Sequence, residues 1–210
     1  MKKSLVVSLV VALALFLSGA SLYDERVSAR NDAAATVHMM WEPGTSCSVV
    51  MVAPGEALTA RHCMSMTSPV VTIEGVDYPV TYAYGNPAMD MALLIIPNAP
   101  CPCAKPAPGA VQIGEKVMLI GYPYGLARVV TYGEMQERVE LEGVLYALIT
   151  APARGGNSGG GVFNEKGELL GIVSRADVTG YLTFFVEIEP LLSPIQSREQ
   201  ELDEAYSFRN

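Results

Sequence analysis

The chain has 210 residues, half of them apolar and 17% charged, with a formal net charge of -8. That size and apolar content suffice for one substantial domain or two small packed barrels, which excludes wholesale disorder. The acidic balance argues against a nucleic-acid-binding surface, which is usually basic, and is otherwise a solubility feature.

Met1 to Ala20 reads as a secretory signal peptide. Lys2 and Lys3 precede an apolar run from Leu5 to Leu17, and Ser18-Gly19-Ala20 offers small residues for cleavage. The run is short for a membrane span, so membrane attachment is expected only if the segment stays uncleaved. No cysteine follows it, which rules out a lipid anchor at that junction. Residues 21–46 have mixed polarity and are expected to form an N-terminal arm or a short helix.

From Cys47 the signal is β. Ser48 to Ala53 and Ala57 to Ala60 are apolar runs split by Pro54-Gly55, a turn. Val70 to Ile73 and Tyr78 to Tyr84 read as a hairpin around Glu74-Gly75-Val76-Asp77, and Met91 to Ile96 as a buried strand. Pro97 to Gly109 holds five prolines, Cys101 and Cys103, without apolar periodicity, and reads as a crossover over about 97–110. Six strands are then expected near Lys116 to Ile120, Val129 to Val139, Val144 to Ile149, Gly161 to Phe163, Leu169 to Val173 and Leu182 to Val186. Asn164 to Gly167 is a tight turn between two of them. Residues 191–210 are charged, with Ile195, Leu202 and Ala205 spaced for a short covering helix.

Three stretches carry chemistry. Arg154-Gly155-Gly156-Asn157-Ser158-Gly159-Gly160-Gly161 sets one serine among glycines between strand-like segments. A serine hydroxyl needs a base to take its proton and donors to receive the charge on the attacked carbonyl. Glycines allow positive φ and close backbone approach, so the N–H groups of Gly156 and Ser158 can form an oxyanion hole within the segment Gly156, Asn157 and Ser158. Upstream, Leu58 to Cys63 runs a short strand into His62, and Met89 to Ile96 places Asp90 at the mouth of an apolar strand. Histidine as base and aspartate as its orienting partner complete a triad, and the order His, Asp, Ser is that of chymotrypsin-type enzymes.

On the stretches Thr59 to Cys63, Asp90 to Leu94, Gly121 to Leu126 and Arg154 to Ser174, the chain resembles the trypsin-like serine proteases of chymotrypsin fold, nearest to the HtrA branch. The resemblance covers about Cys47 to Val186. It implies an all-β fold of two antiparallel six-stranded barrels, one over about 47–96 and one over about 111–190, with the short C-terminal helix beyond. Residues 47–190 would form the protease domain, with His62, Asp90 and Ser158 in the crevice between barrels. It also implies a Cys47–Cys63 disulfide, closing a loop of about 16 residues and worth roughly 3 kcal/mol in the chain-entropy model. Cys101 and Cys103 stay open between pairing with each other, with another chain, or remaining free. With only His38 beyond His62 and no C-x-x-C spacing, zinc is not expected, and no metal or cofactor is.

By resemblance, Pro152 lies at the base of the specificity pocket, with Ser174, Arg175 and Ala176 as one wall. Without a carboxylate at Pro152, small or apolar P1 residues are expected rather than Lys or Arg. Asn157 stands where zymogen-activated relatives carry an aspartate, so activity should not need a freshly cleaved N-terminus. The expected function is an exported endopeptidase, periplasmic or extracellular, acting on proteins or peptides. The alternative is a latent or non-catalytic binding protein on the same fold. The chain ends about 24 residues beyond Val186, so regulation by a PDZ domain in cis is not expected.

Overall fold

The computed structural model describes residues 23–86 and 88–188. The signal segment expected over 1–20 and the helical tail expected over 191–210 lie outside them. Thirteen strands form among the described residues, as short apolar runs punctuated by Gly and Pro require. Helix α1 (residues 23–35) precedes them, in the segment read as an arm. It ends where the Thr36 hydroxyl and N–H both turn back to the Ala33 carbonyl, at 2.8 and 3.1 Å.

The first unit is one antiparallel sheet of β1 (Val37–Glu42), β2 (Thr45–Ala53), β3 (Glu56–Thr59), β4 (Val70–Ile73), β5 (Val76–Pro79), β6 (Tyr82–Asn86) and β7 (Met91–Ile95). The strand order is β5-β4-β1-β2-β3-β7-β6. Where the sequence suggests six strands in a closed barrel, there are seven in a sheet whose edge strands β5 and β6 do not pair. β1 is recruited from the arm, and the run from Tyr78 to Tyr84 is broken in two. The cause is local. Glu74 and Gly75 both adopt positive φ (50° and 80°), so the hairpin turns on two residues and Val76 already belongs to a strand. Pro79, which has no N–H to donate, ends β5 at the sheet edge. Only Val80 and Thr81 separate the two edge strands, so the sheet must curl until its edges come close. Met40, Val49, Met51, Val71, Ile73 and Leu94 fill the inside of the curl.

The second unit is a closed six-stranded barrel, as expected. β8 (Lys116–Gly121), β9 (Val129–Leu141), β10 (Val144–Ile149), β11 (Gly161–Asn164), β12 (Leu169–Ala176) and β13 (Thr183–Glu187) run in the order β10-β13-β12-β11-β8-β9. β8 shows how one strand serves two cores, because alternate side chains face opposite ways. Val117 and Leu119 point into the barrel with Met135, Ile149, Val162 and Phe185. Met118 and Ile120 instead join Phe163 and Ile172 and meet Val37, Val50 and Met91 of the first sheet. Each such large side chain contributes about 1.5–3 kcal/mol on burial, so the layer between the units holds them as one body. The crossover is stitched to both: the Ala104 N–H donates to the Met51 carbonyl and the Ala107 N–H to the Leu169 carbonyl, each at 2.8 Å. Cys101 and Cys103 pair with each other in it, which resolves the open alternatives.

Candidate active site

His62 lies in a single 3-10 turn, Arg61–Ser65, that follows β3 directly. Its neighbour Cys63 is bonded to Cys47 on β2, with Cα atoms 6.3 Å apart, so the turn is fastened to the sheet. Asp90 stands just before β7, which pairs with β3. That pairing brings the two side chains together across 28 residues of sequence. Asp90 Oδ2 accepts from His62 Nδ1 at 2.8 Å, and Oδ1 accepts from the His62 backbone N–H at 3.0 Å. The Ser174 hydroxyl of β12 donates to Oδ2 at 2.5 Å. Burial pushes the Asp90 carboxyl up, but hydrogen bonds from His62 and Ser174 and the nearby imidazole outweigh it and hold the group far below the usual carboxylate range.

Ser158 sits in the loop between β10 and β11. Its carbonyl accepts from the Ser48 N–H at 2.7 Å, and its hydroxyl donates to the Ser174 carbonyl at 3.1 Å. Gly159 (φ 83°) passes so close to β2 and β3 that a β-carbon would collide with the Ser48 carbonyl and the Thr59 hydroxyl. The serine loop is thus pressed onto the first sheet, and Ser158, His62 and Asp90 line one cleft of about 810 Å³. Among the described residues no hydrogen bond joins Ser158 to His62. Such bonds are often long without substrate and tighten in the complex.

Two contacts order the loop backbone. The Gly155 carbonyl accepts from the Tyr124 N–H at 2.6 Å, and the Gly156 carbonyl accepts from the Ser48 hydroxyl at 2.8 Å. Because a peptide's C=O and N–H point in opposite directions, fixing the Gly155 carbonyl on Tyr124 turns the Gly156 N–H away from that loop. Gly156 needs φ 93° to do this, a conformation open to glycine. Among the described residues neither the Gly156 nor the Ser158 N–H donates a hydrogen bond. The Asn157 N–H differs from the other two: it closes a turn onto the Arg154 carbonyl at 3.0 Å. Its buried side-chain Oδ1 has no partner.

The residues expected at the specificity pocket divide. Ser174, Arg175 and Ala176 line the cleft, as do Ala153, Val173, Val178 and Gly180. Pro152 is not among the lining residues; its carbonyl instead accepts from the Thr131 hydroxyl at 2.9 Å. Ser174 contributes to Asp90 and Ser158 through its hydroxyl and carbonyl. Arg175 reaches over the Tyr146 ring at 5.2 Å, bonds its phenol oxygen at 3.1 Å and lies 3.6 Å from the exposed Glu142 carboxylate. Two contributors were not picked out from sequence. One is Ser48, whose only signal is a hydroxyl in an apolar strand. The other is Ser174 as a donor to Asp90. Among the described residues Cys47, His62 and Cys63 bring their ligand atoms within 4.8 Å of one another, but both sulfurs are consumed in the disulfide and offer no thiolate.

A cleft between two antiparallel β units, holding an oriented imidazole–carboxylate pair and a serine on a glycine-rich loop, defines the chymotrypsin-like class of serine hydrolases. The trypsin-like peptidase domain model matches residues 45–172. This is more than half of the sequence, and the chain belongs to the trypsin-like peptidase family. Serine protease Rv3671c of Mycobacterium tuberculosis is 26% identical over 148 residues, which cover 65% of this chain and 37% of that protein. The chain therefore spans little more than a third of that curated relative. The solved active form of the Rv3671c protease superposes with a TM-score of 0.70 at 21% identity, over 79% of this chain and 82% of that one. The HtrA-type protease AlgW with a tripeptide gives 0.71 at 24% identity, over 82% and 62%. At these identities the structures establish the shared fold.

Proposed function

We propose that the chain is an exported serine endopeptidase acting through Ser158, His62 and Asp90. One observation carries the reading: the bonded Asp90–His62 pair shares a cleft with Ser158, in whose loop two backbone N–H groups are left without partners. Ser158 Oγ attacks the peptide carbonyl carbon, and His62 takes the hydroxyl proton and passes it to the leaving amine. Asp90 stabilises the imidazolium, and the Gly156 and Ser158 N–H groups receive the oxyanion. Water then repeats the sequence to release the acyl group from Ser158.

The cleft wall favours small or apolar P1 side chains, since Ala153, Val173, Ala176 and Val178 line it. Proteins or peptides are the substrates, and residues 47–190 are the catalytic unit. With an amide at Asn157 there is no carboxylate to pair with a new N-terminal ammonium, so activity is independent of propeptide cleavage. Export is supported by the signal-like N-terminus and by two disulfides, which persist in oxidising compartments.

A latent form is the second reading, favoured by the Ser158 hydroxyl being bonded to Ser174 and not to His62. Fluorophosphonate labelling with mass-spectrometric mapping separates the two. The expected result is adduct on Ser158 in the native protein and none in Ser158→Ala, whose peptide hydrolysis falls by on the order of 10^4 or more. A folded native protein that stays unlabelled supports latency. Undiminished hydrolysis by Ser158→Ala would remove the assignment altogether.

A further inference from the structure

A second cavity, of about 410 Å³, lies away from the cleft and shares no lining residue with it. Its walls come from the end of α1, β1, the β4–β5 turn, the crossover and the β8–β9 connection, and include His38, Glu74, Pro102, Tyr122 and Arg128. His38 is 6% exposed. Its ring hydrogen-bonds to the Ala35 carbonyl, while Nε2 is buried with no partner. A buried polar nitrogen without a partner is uncommon in native folds. Beside it, Arg128 spends one donor, Nη1, on the Val37 carbonyl at 3.2 Å. Among the described residues no carboxylate lies within ion-pair distance of Arg128. A guanidinium without a carboxylate partner thus stands beside an imidazole with one free nitrogen, in a chain of net charge -8.

We propose that this cavity is a carboxylate-binding site, in which Arg128 grips the carboxylate and His38 Nε2 shares a proton with it. The planar guanidinium fork matches a carboxylate's two oxygens. The Arg128 charge opposes a cationic ligand, and the Glu74 carboxylate, which also lines the cavity, opposes a divalent anion such as phosphate more than a monoanion. A monoanion taken up together with one proton, which resides on His38 Nε2 and is donated to the carboxylate, satisfies both nitrogen groups. The site does not depend on the protease reading, although Tyr122 lies in the same β8–β9 connection as Tyr124, which holds the Gly155 carbonyl.

Proton linkage follows from the geometry. The titratable and charged groups around the imidazole are Arg128, Glu74 and Tyr122. Burial first, and then the Arg128 charge, lower the His38 pKa to about 4. A bound carboxylate offsets the Arg128 charge and accepts from the imidazolium, so it raises that pKa. By reciprocity the carboxylate binds more tightly as the pH falls from about 7 to about 5.

The test uses the intact protein and proton NMR of its two histidines, with His38 identified by its loss in His38→Gln or, should that variant misfold, by backbone-based assignment. Sodium acetate is titrated against sodium chloride at equal ionic strength. The expected result is a saturable shift of the His38 ring signal and a rise in its pKa, with His62 unmoved. Binding should weaken at least about tenfold in Arg128→Gln, an exposed position where the fold is retained. No saturable shift, or equal affinity in Arg128→Gln, would overturn the proposal. A second arm adds a short peptide and its C-terminal amide to Ser158→Ala protein, so that neither is consumed. Displacement of acetate by the free acid alone identifies a chain terminus as occupant; acetate binding that neither peptide disturbs identifies a small free acid.

Discussion

Arg154 Nη1 donates to the Gly180 carbonyl at 2.7 Å and to the Ala153 carbonyl at 2.8 Å, and the Ala153 N–H returns to the Gly180 carbonyl at 3.1 Å. The guanidinium also lies over the Tyr181 ring at 5.9 Å. One side chain thus fastens the serine loop to the adjacent 177–181 loop, which also lines the cleft. Each hydrogen bond contributes about 1 kcal/mol and the ring contact about 0.5–1 kcal/mol. Arg154→Ala should therefore lower kcat/KM on extended peptides about tenfold, mainly through KM, while a small activated ester is hydrolysed almost unchanged. Equal losses on both substrates would show that the side chain supports the fold as a whole rather than the cleft wall.

Removal of the Ser174 hydroxyl takes one donor from Asp90 but leaves the Ser174 carbonyl, and so the Ser158 contact, in place. A hydrogen bond to a charged group is worth about 1.5–3 kcal/mol. The loss should loosen the Asp90–His62 alignment and reduce kcat about tenfold, or about 1.4 kcal/mol in barrier, in Ser174→Ala. Steady-state kinetics check this. An unchanged kcat would mean that the two hydrogen bonds from His62 orient the carboxylate unaided.

The Cys47–Cys63 bond closes a loop of separation 16 and ends one residue from the imidazole. Loop closure of this length stabilises by roughly 3 kcal/mol. The double variant Cys47→Ser/Cys63→Ser should lose about 6–12 °C in Tm by calorimetry. Below that Tm it should also be slower, because the 3-10 turn holding His62 has lost its tie to β2. A variant with lowered Tm and full activity would separate the stabilising role from the positioning one.

His62, Asp90 and Ser158, which line one cleft, could be singled out as candidates because each sits in a short run with its own local signal: a strand end, a strand mouth, a glycine cluster. The second barrel was legible strand by strand for the same reason, since its runs are apolar and bounded by turns. What escaped depends on contacts between distant residues. The Ser48 hydroxyl acts on Gly156 across 108 residues, and Ser174 acts on Asp90 across 84; no window of sequence shows either pairing. β1 was hidden by mixed polarity, because Val37, His38 and Met40 are all buried while Glu42 reaches out to cap the N–H groups of Thr67 and Ser68. The turn at Glu74 was read two residues too long, since a non-glycine at positive φ leaves no reliable trace in sequence.

Buried His38 also gives the fold a pH dependence of determinate sign. Its pKa is about 4 in the folded chain against 6.5 for an unperturbed histidine, lowered by burial and by Arg128. Between those values the unfolded chain binds a proton that the folded chain does not, so stability falls as the pH drops. Above about pH 7 both states carry a neutral ring and the effect vanishes; by about pH 5 it amounts to about 2 kcal/mol. In a buffer free of carboxylates, His38→Gln should therefore show a smaller loss of unfolding free energy between those two pH values, by about 1–2 kcal/mol. Urea denaturation at both pH values measures it. A variant as acid-sensitive as the native chain would place the titrating group elsewhere. With saturating acetate the native chain should regain part of the lost stability at the lower pH, because a ligand that raises the folded pKa of His38 reduces the difference between the two states.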